Sequence, residues 1–175
     1  MMLSRLFICL LLCGFACNGF ALSDSTVTPR DLKHLAGCWK GSITYLDYST
    51  NKPFSMPAHM LVKNAGKSNS LLYALEYPEE TSANTTDSIV IAANGRVVNG
   101  EIVVKVTRFK DSTEIMTEGS GTDGNDNKPA RFRHTYSIGR QTYSIKKEVL
   151  FDGQSSWILR HSYQFTRSTP AHGGK

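Results

Sequence analysis

The sequence predicts an all-β protein: an antiparallel up-and-down β-barrel of about 8–10 strands with a short N-terminal helix. Two observations carry this. From residue 38 onward, β-branched and aromatic residues alternate with polar ones at a period of two, and no helical periodicity of useful length competes with it. Dipeptides that tolerate positive φ, Asn94-Gly95, Asn99-Gly100 and Asp152-Gly153, punctuate these runs where hairpin turns belong. Short connections make successive strands antiparallel neighbours, and strands with one apolar face each close most economically into a barrel, which leaves no edge exposed.

The chain opens with a different pattern. Arg5, an apolar run over 6–16 and small residues at Gly19 and Ala21 read as a secretory signal peptide spanning 1–21. The run is shorter than the roughly 18 residues a membrane-crossing helix needs, and nothing later is as apolar, so no transmembrane span is expected. The protein is expected to be exported, periplasmic or secreted. An alternative is a lipoprotein anchored through Cys17, preceded by Ala16 and followed by Asn18-Gly19; Gly14, where a lipidation signal usually carries an aliphatic residue, weighs against it.

Of four cysteines, Cys9, Cys13 and Cys17 fall in the signal and leave Cys38 alone, so no intramolecular disulfide is available. The fold must rest on its own core, within reach of a domain covering 22–167. Residues 168–175 read as a frayed tail. The formal charge of +5 drops to about +4 without Arg5, and the basic residues are scattered rather than clustered, which argues against a nucleic-acid partner.

Within the domain, Thr28 and Pro29 suit the cap and first position of a helix of one or two turns over 29–35. Strands are expected at 38–48, 56–64, 70–77, 88–93, 101–110, 113–121, 130–138, 141–151 and 156–167, with one long flexible loop at 121–129. Alternation assigns the inward faces: Ile102, Val104, Val106 and Arg108; Phe132, His134, Tyr136 and Ile138; Tyr143, Ile145, Lys147 and Val149; and Trp157, Leu159, His161, Tyr163 and Phe165.

Gly37-Cys38-Trp39 after a short helix, with Gly41 and Tyr45 beyond it, is similar to the G-x-W opening of lipocalins. Arg167 has the parity of the inward residues of its strand and matches the arginine of the family's closing motif, so the resemblance implies a closed end built from Gly37, Trp39 and Arg167. The family's third motif, Thr-Asp followed closely by Tyr, is missing, since Thr86-Asp87 and Thr122-Asp123 lack the tyrosine, and its usual disulfide is absent, which brings the chain nearer to small exported bacterial lipocalin-like proteins. The resemblance implies a barrel whose open end admits a small hydrophobic or amphipathic molecule.

The inward faces add an independent reading. Arg108, His134, Lys147 and His161 share parity with core residues, and charge inside a barrel is costly unless paired. One account is a cationic patch that takes an anionic head group, with Tyr45, Tyr73, Tyr136 and Tyr163 lining the walls. The other is that these groups lie at strand ends, or that a bulge inverts the parity.

No nucleophile elbow, phosphate loop, paired-carboxylate pattern or zinc spacing is present, so neither a catalytic residue nor a metal ligand set is assigned and no cofactor is expected. His59, His134 and His161 have no recognisable metal spacing. A related haem-binding barrel family also opens with G-x-W-x-G and uses a late histidine, which makes His161 its counterpart. A third class is a barrel plugged solid with aromatic side chains that works through its outer surface as a protein-interaction module.

Overall fold

A computed structural model describes residues 25–66 and 69–169. The expected signal peptide, its alternative anchor at Cys17 and residues 170–175 lie outside the described residues. Ten strands follow in chain order: β1 (Gly37–Asp47), β2 (Lys52–Asn64), β3 (Ser70–Glu76), β4 (Thr85–Val90), β5 (Val97–Val98), β6 (Glu101–Arg108), β7 (Ser112–Asp123), β8 (Lys128–Gly139), β9 (Thr142–Phe151) and β10 (Ile158–Ser168). They form one antiparallel sheet in the order β4-β3-β2-β1-β10-β9-β8-β7-β6-β5. An Ile91–Val98 bridge draws its two ends together, so the barrel is nearly closed.

The expected N-terminal helix is absent. Pro29–Leu32 forms a single 3-10 turn, with Asp31, Lys33 and Leu35 donating their amides three residues back to Thr28, Arg30 and Leu32. The cap is real, since Asp31 accepts from both the amide and the hydroxyl of Thr28 at 2.8 Å. The turn goes no further because Leu32 and Leu35 are buried and Gly37, at φ 134°, redirects the chain into β1. The segment thereby crosses one end of the barrel and shuts it.

Three further expectations change. The Asn99-Gly100 turn, with φ 50° and 82°, starts a hairpin on the two-residue β5, a strand too short to show alternation. The anticipated long loop at 121–129 shrinks to the turn 124–127, because Thr122 pairs with Pro129 and Asp123 with Lys128. Bulges also break the parity on two strands. The register slips between Val103 and Lys105, so Val103 and Val106 face the core while Ile102 and Val104 lie 63% and 40% exposed. It slips again between Leu159 and His161, which turns Leu159 outward and leaves His161, Tyr163 and Phe165 inside.

At the closed end Trp39 is buried and donates its indole N–H to Leu35 O at 2.7 Å. The Arg167 guanidinium lies 4.3 Å above the indole and donates to the carbonyls of Ala36, Arg140 and His34. One side chain thus ties β10 to both the crossing segment and the β8–β9 turn. Gly41 lets β1 and β10 approach: a Cβ there would sit 1.8 Å from Gln164 O. Gly41→Ala is expected to destabilise the protein at or above the upper end of the about 1–3 kcal/mol typical of overpacking, measured by urea unfolding. A change within error would show that the two backbones are free to part.

Candidate functional site

The register of β8, β9 and β10 arranges the barrel interior in layers. Ile138, Tyr143 and Phe165 lie side by side; above them come Tyr136, Ile145 and Tyr163, and then His134, Lys147 and His161. The lowest layer packs on Trp39, with Tyr143 5.9 Å from the indole and stacked on Phe165 at 6.0 Å, and makes a solid aromatic floor.

Over this floor lies a cavity of about 280 Å³. Met60, Leu75, Ile89 and Ile145 supply apolar wall, Tyr73, Tyr136, Tyr143 and Tyr163 supply phenols, and His134, His161, Glu101 and Asn99 supply the remaining polar groups. Four of the polar groups, Glu101, His134, Tyr163 and Asn99, are already engaged, Asn99 through its Oδ1, which accepts from Val90 N at 2.7 Å. Glu101 accepts from Thr117 Oγ1 at 2.5 Å and from His134 Nδ1 at 2.8 Å. Burial alone would raise the Glu101 carboxyl, but these contacts outweigh it and hold it below the usual range. Gly119 makes room for this carboxylate, since a Cβ there would meet Glu101 Cγ at 3.0 Å. Tyr163 and Tyr77 share a hydrogen bond of 2.6 Å between their hydroxyls.

Other polar groups have no hydrogen-bond partner among the described residues, Tyr143 and His161 among them. The Tyr143 hydroxyl is fully buried without a hydrogen bond among the described residues. His161 touches Tyr163 edge-on at 5.5 Å and makes no hydrogen bond there either. Burial, reinforced by the charges of Lys147, His134 and Arg160, pushes its imidazole down to about 4, so it is neutral at pH 7.

The unfolded chain protonates His161 near 6.5 while the folded one resists until about 4, so stability falls as pH drops through that window. The full effect amounts to about 3 kcal/mol. His161→Leu should flatten the pH dependence of urea unfolding between pH 6.5 and 4.5. An unchanged slope would mean that the ring is wet.

The barrel mouth is roofed by charge. Lys147 Nζ reaches Asp123 Oδ2 at 2.7 Å and sits 4.2 Å over the Phe132 ring. Arg160, the extra residue of the β10 bulge, approaches Asp123 Oδ1 at 3.3 Å, donates to Leu46 O and covers the Tyr48 ring at 4.4 Å. Gly121 leaves space for Phe132, whose ring edge would lie 2.8 Å from a Cβ at that position.

Of the residues expected to line a site, Tyr73, His134, Tyr136, His161 and Tyr163 converge on the cavity. Tyr45 does not; it packs on Phe54 at 5.4 Å. Arg108 sits at the closed end, where its Nε donates to Asp31 at 2.7 Å. Lys147 belongs to the roof. No cationic patch faces the cavity, because Arg108, His134 and Lys147 each meet a carboxylate. Tyr143, although correctly placed inside by alternation, was not among the expected site residues, and Glu101 had no periodic signal at a strand start. The carboxylate at Asp123 was hidden by the apparent loop around it.

No protein-family profile matches the chain, and no curated protein matches it. Among solved structures it is similar to Rv2717c from M. tuberculosis, with a TM-score of 0.55 at 16% identity, covering 79% of this chain and 96% of that one. The likeness is one of fold. It supports an antiparallel β-barrel over the 79% of the chain that it covers. BF2706 from Bacteroides fragilis aligns at a TM-score of 0.37 and 11% identity over 78% of this chain and 51% of its own, a level that carries no argument. No helix among the described residues is long and apolar enough to cross a membrane.

Proposed function

We propose that the protein is an exported lipocalin-like binder that holds a small amphipathic molecule non-covalently in the cavity above the aromatic floor. The observation that carries this reading is a cavity of mixed apolar and phenolic wall that a neutral imidazole, His161, lines with no hydrogen-bond partner in the protein, over a floor in which the Tyr143 hydroxyl is buried and likewise unpartnered. Buried polar groups are normally satisfied, and leaving one unpaired costs about 1–3 kcal/mol, so a ligand that accepts from Tyr143 and bonds His161 gains specificity there. Its apolar body packs on Met60, Leu75, Ile89 and Ile145. A dry cavity of about 150 Å³ takes up benzene, so this one admits a molecule roughly twice as large. A carboxylate or other anionic end would have to bond to Tyr143 and His161, because the nearby cations are paired.

Native mass spectrometry of the protein from an exporting host, with titration of a fluorescent apolar probe, tests the proposal. A stoichiometric bound molecule, or probe binding weakened tenfold or more by Tyr143→Phe together with His161→Leu, supports it. An empty protein that ignores the probe overturns it in favour of a plugged interaction module.

A second reading has one observation in its favour. A neutral imidazole free of hydrogen bonds is the form that ligates iron, which makes His161 a candidate haem ligand. The macrocycle needs more room than this cavity provides, so the strands would have to part to admit it. Titration with hemin decides: a sharp Soret band abolished by His161→Leu supports this reading, and the free-hemin spectrum ends it.

A further inference from the structure

We propose that the outside of the closed end carries a second site, a receptor for a phosphate-class anion. It occupies a groove of about 440 Å³ between the 3-10 turn Pro29–Leu32 and the tight β6–β7 turn. Arg30, Lys33 and Lys110 line this groove, and none of them has a carboxylate partner among the described residues. The two acids in the groove are neutralised by other groups. Asp31 is held by Arg108 at 2.7 and 3.0 Å and capped by Thr28, and Asp111 pairs with Arg140 at 2.9 Å. Three cationic charges are therefore left facing one concavity.

The neighbouring groups suit a tetrahedral oxyanion. Ser112 and Thr113 contribute hydroxyls to the wall, and His34 contributes an imidazole. That imidazole is held below its ordinary value by burial and by the charges of Lys33, Arg140 and Arg167, the response expected in a positive field. A doubly charged phosphate offsets more of this field than a carboxylate does and presents enough acceptors for ammonium, guanidinium and hydroxyl donors together. Both banks are stiff: the Arg108–Asp31 pair ties one to the other, and Phe109 N donates to Ser112 O at 2.8 Å across the turn. Phe109, 60% exposed on the rim, offers an apolar surface beside the charges.

The phosphate can belong to a soluble molecule or to a lipid head group, and the test separates these sources. The full-length mature protein is titrated with inorganic phosphate by calorimetry and sedimented with phosphatidylglycerol or phosphatidylcholine vesicles. Saturable phosphate binding that falls at least tenfold in Lys33→Glu/Lys110→Glu, with an unchanged melting temperature, is the expected result. Loss on Lys52→Glu/Lys128→Glu, at the opposite end of the barrel, should be less than twofold. Co-sedimentation with phosphatidylglycerol alone, lost in Phe109→Ser and in the charge-reversed variant, would assign the site to a membrane surface. Phosphate binding without co-sedimentation would assign it to a soluble ligand. The proposal is overturned if neither probe binds, or if both charge-reversed pairs weaken binding equally and net charge alone explains it.

Discussion

Trp39→Ala is expected to lower the unfolding free energy by about 3–5 kcal/mol, the range for truncating a large aromatic in a core. Three losses add up at this position. The indole is almost wholly buried and supports Tyr143, so its removal opens a void beneath the aromatic floor that the stacked rings cannot readily fill. Its N–H satisfies Leu35 O at 2.7 Å, a carbonyl in the segment that shuts the barrel. Its face supports Arg167, which then keeps its backbone contacts without the ring beneath it. Urea unfolding measures the total, and Trp39→Phe separates the contributions, since phenylalanine restores part of the volume and the face but not the N–H. A loss below about 1 kcal/mol for alanine would show that the closed end is held by Arg167 and the crossing segment without Trp39.

Much of the barrel was legible because alternation is a local signal. Nine of the ten strands follow from a two-residue period and from turn dipeptides, and the inward faces of β8 and β9 agree residue by residue with the pairing of Phe132, His134, Tyr136 and Ile138 against Val149, Lys147, Ile145 and Tyr143. What failed was non-local. A bulge is one extra residue with no sequence signature, yet those at Val103–Lys105 and Leu159–His161 decide that Ile102, Val104 and Leu159 face outward. The short helix failed because its capping residues were right while the buried Leu32 and Leu35, which bind the segment to the barrel end, set its length. At the site, parity identified the histidines and most tyrosines but could not supply their partners. Asp31, Glu101 and Asp123 come from a turn, a strand start and an apparent loop, and each engages a basic side chain that looked available from its own strand.

Those partners make Asp123 the most sensitive polar position in the barrel. Asp123→Ala is expected to destabilise the protein by about 3–5 kcal/mol, the cost of breaking a buried pair from one side. The side chains of Asp123 and Lys147 are only 10% and 18% exposed, and Asp123 also accepts from Gly124 N at 2.7 Å and faces Arg160. Alanine therefore leaves an ammonium over the Phe132 ring with no carboxylate in contact with it among the described residues. Asp123→Ala/Lys147→Met should recover much of the loss, because an apolar roof of similar volume no longer carries an unpaired buried charge. Burial would raise the Asp123 carboxyl, but Lys147, the Gly124 amide and Arg160 hold it below the usual range. The pair's contribution is thus complete above pH 4 and fades as the pH falls further, below the window in which His161 acts. Denaturant unfolding of the two single variants and the double variant at pH 7 measures the coupling. If the double variant is as unstable as the sum of the singles, the roof is solvated and Lys147 lies in water at the barrel mouth.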